Sequence, residues 1–297
     1  MEQARDAIHV PVLRDEVLHW LQPAPAGLYV DGTLGLGGHA QAILSHAAPT
    51  GRLIGFEWDE DAAGKAAARL APFAERLRII RASYAELVPE LARLEVGAID
   101  GLIADLGVSS LQLDQAERGF SFRTESALDM RMDRRRPLTA AELVARLSEE
   151  QLADIFYHYG EERQARRIAR FLVQARQEEP VATTGRLAAI VATAVPRKYH
   201  PPRVHVATKV FQALRIAVNG ELDNLTRLLA TAPEVLKPGA RICIITFHSL
   251  EDRMVKQAFV QNPAYRALTK RPIEPSAEEI DRNPRARSAK LRVAERV

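Results

Sequence analysis

In Val30-Asp31-Gly32-Thr33-Leu34-Gly35-Leu36-Gly37-Gly38-His39, an apolar run that begins at Leu28 ends in an acid and passes into a glycine-rich turn. Ala40 to Ser45 follows with helical spacing. Glycines at such a turn let the backbone approach a ligand and take φ > 0, where a side chain would clash. A second apolar run, Arg52-Leu53-Ile54-Gly55-Phe56, ends at Glu57. An acid at the tip of the neighbouring strand is placed to accept hydrogen bonds from two ribose hydroxyls. Together these features predict a nucleoside-cofactor site at the carboxyl edge of a parallel sheet.

A glycine-rich turn alone is weak, since a purely structural turn has the same composition. Spacing adds information. The dinucleotide fingerprint needs G-x-G-x-x-G directly after the strand. Here Asp31 comes first and the glycines fall at 32, 35, 37 and 38. That arrangement is closer to the D/E-x-G-x-G-x-G pattern of class I methyltransferases, whose cofactor S-adenosylmethionine carries no pyrophosphate. A nicotinamide-dependent oxidoreductase on the same sheet stays as an alternative, as does an RNA-binding protein that has kept the fold without catalysis.

Composition narrows the class. The chain has 297 residues, 47% of them hydrophobic, enough for one large domain or two modest ones. Its one cysteine, Cys243, excludes an intramolecular disulfide and a cysteine-cluster metal site. It lies in the strand-like run Arg241–Phe247 and reads as a small core residue. No apolar run approaches the roughly 20 residues of a membrane span. The polar start, Met1 to His9, does not have the form of a signal peptide, so a soluble cytoplasmic protein is expected.

The net charge is only +3, but it is unevenly spread. Asp281 to Val297 holds six Lys/Arg against two acids. Arg134-Arg135-Arg136 is a second cluster. Arg163, Arg166, Arg167 and Arg170 fall at i, i+3, i+4 and i+7, one face of a helix. Any one of these can be a plain solvated face. Three together point to a polyanionic partner, because phosphate neutralisation supplies most non-specific nucleic-acid affinity.

Strand-like and helical segments alternate through the first third. Strands are expected at Leu28–Val30, Leu53–Phe56, Leu77–Ile80 and Gly101–Ala104, with helices at Ala40–Ser45, Ala62–Leu70 and Tyr84–Leu94. This predicts an α/β fold with a mostly parallel sheet. From about Asp114 to His205 no convincing strand appears. Thr139 with Glu142 and Ser148 with Gln151 fit capping boxes. Ile155–Arg176 and Arg186–Val195 read as helices, and Pro196-Arg-Lys-Tyr-His-Pro-Pro202 interrupts them. The expected organisation is a sheet domain in two segments, 1–113 and 206–297, separated by a helical insertion over 114–205. In the second segment Thr208–Leu229 reads as one long amphipathic stretch, followed by strands at Ile242–Phe247 and Ser288–Ala294.

Longer motifs carry a family resemblance. They are Asp105-Leu-Gly-Val-Ser-Ser-Leu-Gln-Leu-Asp114, Glu117-Arg-Gly-Phe-Ser-Phe122, Leu128-Asp-Met-Arg-Met-Asp133, Tyr159-Gly-Glu-Glu-Arg163, Phe247-His-Ser-Leu-Glu-Asp-Arg253 and Asn283-Pro-Arg-Ala-Arg287. With the glycine turn, this set resembles the ribosomal RNA small-subunit methyltransferase H (MraW) family over nearly the whole chain. The resemblance implies a class I, Rossmann-like methyltransferase with an inserted helical domain. It implies methyl transfer from S-adenosylmethionine to the exocyclic N4 of a decoding-site cytidine of 16S rRNA in the small ribosomal subunit. Another RNA or a non-RNA acceptor is the alternative, and monomer and homodimer are equally compatible.

Carried over by motif, the cofactor residues are Gly37, Gly38, His39, Glu57, Tyr84, Asp105 and Gln112, and no metal is implied. Glu57 stands where the family often has Asp. Asp105 is the expected catalytic residue, at the junction of cofactor and target amine; the lesser alternative is a strand-end acid that caps the next turn. Many amino-methyltransferases have an Asp/Asn/Ser-Pro-Pro-aromatic motif here. This chain keeps the acid and lacks the prolines and the aromatic. Phe120 and Phe122 are candidates to stack the target base, or to pack in the core. His248, Ser249 and Asp252 read either as site residues or as a helix start with Ser249 as N-cap.

Overall fold

The structure, a computed structural model, describes residues 11–202 and 204–297. The polar stretch Met1–His9 lies outside the described residues. The chain divides into two compact units, Met1–Gly107 with Asp223–Val297, and Val108–Leu222.

The first unit is built on a seven-stranded sheet. Its strands are β1 (Leu28–Asp31), β2 (Arg52–Phe56), β3 (Leu77–Ile80), β4 (Ile99–Asp105), β5 (Leu236–Thr246), β6 (Tyr265–Ala267) and β7 (Lys290–Arg296), in the spatial order β3-β2-β1-β4-β5-β7-β6. β1 to β5 are parallel, and β7 is antiparallel to both β5 and β6. The order reverses at β1, whose neighbours are β2 and β4. Ligand crevices of open α/β sheets form at such a switch point, beyond the carboxyl ends of the strands.

The strands read as continuous apolar runs because both faces are covered. Successive side chains alternate between two cores. Leu102, Ala104, Ile242 and Ile244 join one cluster with Leu87, Leu225 and Phe259. Ile103, Cys243 and Ile245 join the other with Leu13, Val17, Ile43 and Leu44. Cys243 is buried there.

The second unit is helical, with one isolated bridge, Ala127 to Thr183. Both foreseen capping boxes, Thr139–Glu142 and Ser148–Gln151, are formed. Its own core includes Leu143, Leu152, Phe156, Ile168, Leu172 and Leu187.

The structure departs from the expected segmentation in four places. The helical unit runs over 108–222, longer than 114–205. The reason is the Thr208–Asn219 helix, whose Val210, Phe211 and Leu214 enter the helical core. Thr208–Leu229 is two helices, since Gly220 takes φ +61 and closes the first before Glu221–Val235 begins. Ile155–Arg176 is also two, Glu149–His158 and Ala165–Glu178. Between them Glu161 takes φ +47, and the N–H groups of Gly160 and Glu162 both reach the Phe156 carbonyl. Finally, β5 begins at Leu236, six residues ahead of the expected start at Ile242, taking in Leu236-Lys-Pro-Gly-Ala240, and a register shift against β4 absorbs the extra length. The short β6 has no hydrophobic alternation to announce it.

Candidate active site

Three acids close the carboxyl ends of adjacent strands. Asp31 ends β1, Glu57 follows β2 and Asp105 ends β4. The glycine turn runs above them. Gly35 N–H donates to Glu57 Oε2 at 2.8 Å, and Asp59 N–H donates to Oε1 at 2.9 Å. Each oxygen keeps a lone pair. Glu57 therefore sets the height of the turn and still presents acceptors. Gly37 caps the Gly38–His46 helix with φ +79. A Cβ there would meet Leu70 at 2.8 Å, and one at Gly38 would meet Pro11 at 3.1 Å. Gly37 is required by the chain itself, whereas a side chain at Gly38 would need Pro11 to give way by a few tenths of an ångström.

Thr33 links two of the acids. Its N–H donates to Asp31 Oδ1 at 3.0 Å, and its hydroxyl oxygen accepts the Asp105 N–H at 2.6 Å. His39 is buried, with Nε2 3.8 Å from Asp105 Oδ2. Tyr84 opens the 3₁₀ turn Tyr84–Glu86 after β3, and its Cβ lies 3.1 Å from where a Gly32 Cβ would stand. Tyrosine and glycine turn thus meet closely.

The electrostatics are unusual. Asp31 Oδ2 and Asp105 Oδ1 are buried and have no hydrogen-bond partner among the described residues. Burial pushes Asp31 up to about 7 against the pull of the Thr33 N–H. Burial also pushes Asp105 to about 8, with Asp31 and Glu251 adding repulsion. Glu57 rises to about 8, again mainly through burial. Desolvation without a counter-charge favours the neutral carboxyl. A cation and hydroxyl donors in this crevice would reverse that.

The structure thus brings together Gly37, Gly38, His39, Glu57, Tyr84 and Asp105. Gln112 belongs to the other compact unit, where it completes a capping box with Ser109 at the start of the Ser110–Asp114 helix. Asp105 Oδ1 caps nothing. Phe120 and Phe122 pack against the helical core, Phe122 at 4.9 Å from Phe211 and 4.8 Å from His205 between ring centroids. The helix after β5 starts one residue earlier than Ser249 implies. His248 is its N-cap, and Glu251 takes the N3 position and accepts the Phe247 N–H at 2.9 Å. Asp252 instead holds Arg292 at 2.6 Å.

Two residues of the site escape a sequence reading. Thr33 sits among the glycines without a motif of its own. Glu251 is 2% exposed. Its only signal is its position three residues beyond the N-cap. Among the described residues no cluster of His, Cys, Asp and Glu is arranged for a metal.

Acids at successive sheet tips, a φ-positive glycine at a helix start and the 3-2-1-4-5-7-6 strand order define a class I methyltransferase. The chain belongs to the MraW methylase family, which matches residues 6–297. It is 55% identical to a protein of Desulfotalea psychrophila named ribosomal RNA small subunit methyltransferase H, over 98% of this chain and 99% of that one. Proteins of the same name from Cyanothece sp. and Geobacter sulfurreducens are 50% and 49% identical, over 98% and 97% of this chain and 95% and 99% of theirs.

S-adenosylmethionine is the cofactor. The residues present suit it. Asp31 Oδ2 and Asp105 Oδ1 are buried without a donor among the described residues, and burial raises the proton affinity of all three acids. The cofactor brings an ammonium, a sulfonium and two ribose hydroxyls.

Proposed function

We propose that this chain methylates the exocyclic N4 of a decoding-site cytidine in 16S rRNA of the small ribosomal subunit, in the cytoplasm. The observation that carries this reading is Asp105, a part-buried carboxylate at the β4 tip whose buried Oδ1 has no hydrogen-bond partner among the described residues and whose Oδ2 lies 3.8 Å from His39 Nε2. The names of the relatives support an acceptor in small-subunit rRNA.

S-adenosylmethionine supplies an electrophilic methyl group together with positive charge that would favour the ionised form of these acids. Asp31 and Asp105 would hold its cationic end, and Glu57 its ribose hydroxyls on the two lone pairs left over. Gly37 and Gly38 keep the turn low, and Tyr84, packed against that turn, would lie near the adenine.

The cytosine amine is a poor nucleophile, because its lone pair is delocalised into the ring. An enzyme helps by fixing the amine in line with the departing group. Asp105, once ionised, accepts a hydrogen bond from the amine and favours a pyramidal nitrogen. The base must leave its stack to reach it. The helical unit, with its exposed arginines, is the RNA-recognition element of this proposal.

The direct test is transfer of a tritiated methyl group to small subunits from a strain lacking this protein, followed by nucleoside analysis. Label in N4-methylcytidine is the expected result. Label in another nucleoside, or none in RNA, overturns the proposal.

A further inference from the structure

The Pro196–Pro202 stretch has no role in the chemistry above. It is built as a rigid pedestal. Arg197–Tyr199 forms a single 3₁₀ turn. Tyr199 N–H donates to the Pro196 carbonyl at 2.8 Å, and His200 N–H to the Arg197 carbonyl at 3.0 Å. His200 Nε2 lies 3.0 Å from the Val195 carbonyl. Arg167, on the neighbouring Ala165–Glu178 helix, donates through Nε to the Ala194 carbonyl, just ahead of the turn. The pedestal is therefore tied to the helix that carries Arg166, Arg167 and Arg170, with Arg163 just before it.

What the pedestal holds up is an aromatic ring. Tyr199 is 53% exposed. Lys198 Nζ sits 5.0 Å from its ring centroid. Arg197 and Lys198 are exposed beside it, as are Arg163, Arg166, Arg167 and Arg170. Glu149 approaches this cationic group at its far end, with Oε1 4.0 Å from Arg170 Nε. Leaving a tyrosine ring in water forgoes the gain from burying it. Holding it on a fixed turn removes the ordering cost of a later contact.

We infer that Tyr199 is a base-stacking platform for a single-stranded RNA segment, whose phosphates are taken by Arg197, Lys198 and the arginines of the neighbouring helix. The inference rests on the RNA acceptor proposed above and names the element that grips it. The combination of a cationic track and an aromatic face suits single-stranded nucleic acid. A duplex hides its base faces and would use the cations alone. An acidic peptide would likewise ignore the ring.

The test measures fluorescence anisotropy of two labelled oligoribonucleotides of equal length, one with bases and one abasic, against the full chain. The wild type is expected to bind the base-bearing strand about tenfold more tightly, in the range that stacking on one aromatic gives. Tyr199→Ala should erase that preference, and Tyr199→Phe should retain it. Since no charge is removed, the slope of log affinity against log salt should not change. A preference that survives Tyr199→Ala overturns the inference, and so does equal weakening on both strands. The two readings fail separately. A wild type that shows the preference but methylates no small subunit removes the proposed function alone. Normal methyl transfer with the preference intact in Tyr199→Ala removes the platform alone.

Discussion

Asp105 is the side chain on which the proposed chemistry rests. It ends a buried strand, its N–H is held by the Thr33 hydroxyl, and its Oδ1 is unmet. Asp105→Ala should abolish methyl transfer to small subunits and leave the circular dichroism spectrum of the fold in place. Near-normal turnover would remove it from the mechanism. Its protonation also makes a prediction for the cofactor-free protein. Folded, Asp105 and Asp31 hold their protons to about 8 and about 7. Unfolded, they ionise near pH 4, roughly. Between those limits the folded state binds more protons, so the contribution of these groups to stability is full below about pH 4 and is lost as pH rises towards about 8. The melting temperature of Asp105→Asn relative to wild type should therefore climb from about pH 5 to about pH 8. A flat difference would contradict the buried, neutral carboxyl. By the same linkage, S-adenosylmethionine should bind more tightly as pH rises towards about 8. Calorimetry in buffers of different ionisation enthalpy should detect proton release on binding.

At the scale of elements, the β1 turn works through backbone geometry. Gly37 combines a left-handed φ with a Cβ position already occupied by Leu70. Gly37→Ala should cost about 1–3 kcal/mol of stability, from left-handed strain and overpacking together, read by urea unfolding. Thr33 is the cross-link between the β1 and β4 tips. Thr33→Val keeps the shape and strands the Asp105 N–H, a cost of about 1–3 kcal/mol. It should weaken cofactor binding, with Thr33→Ser close to wild type. Equal affinity in Thr33→Val and wild type would show that the two tips hold their spacing without it. The caps at Thr139 and Ser148 belong to this scale too. They were readable in advance because a capping box needs only residues three apart. The break at Gly160–Glu162 was missed, although residues 160–164, Gly-Glu-Glu-Arg-Gln, carry no apolar side chain; the helix ends at His158 and Glu161 takes a left-handed φ.

Over the whole molecule, charge is redistributed by packing. All three basic clusters in the chain are partly consumed, the third through Arg167, which donates to the Ala194 carbonyl, and Arg170, which lies 4.0 Å from Glu149. Arg135 forks onto Asp133, Arg136 donates to the Asn219 carbonyl and Arg292 is buried against Asp252. Arg163 and Arg166 remain exposed on the helical unit. Reversing both to Glu should weaken binding of a single-stranded RNA and lower its salt slope, because fewer neutralised phosphates release fewer counterions. Cofactor affinity should not change. Unaltered RNA binding would move the gripping surface elsewhere.

The strands from β1 to β5, the acid–glycine turn and most of the site acids were legible in the chain, because they depend on short-range order. Hydrophobic period, cap spacing and an acid at a strand end are all properties of neighbours in sequence. What needed the folded molecule is everything that depends on residues far apart. Glu57 reaches back 22 positions to hold Gly35, and Thr33 reaches forward 72 to Asp105. Glu251 became a neighbour of Asp105 only when β5 paired with β4. The Thr208–Asn219 helix joined the helical core because its apolar face found partners there. An amphipathic period states that a face will be buried. Only packing chooses against which core, and only burial raises the acids' proton affinity.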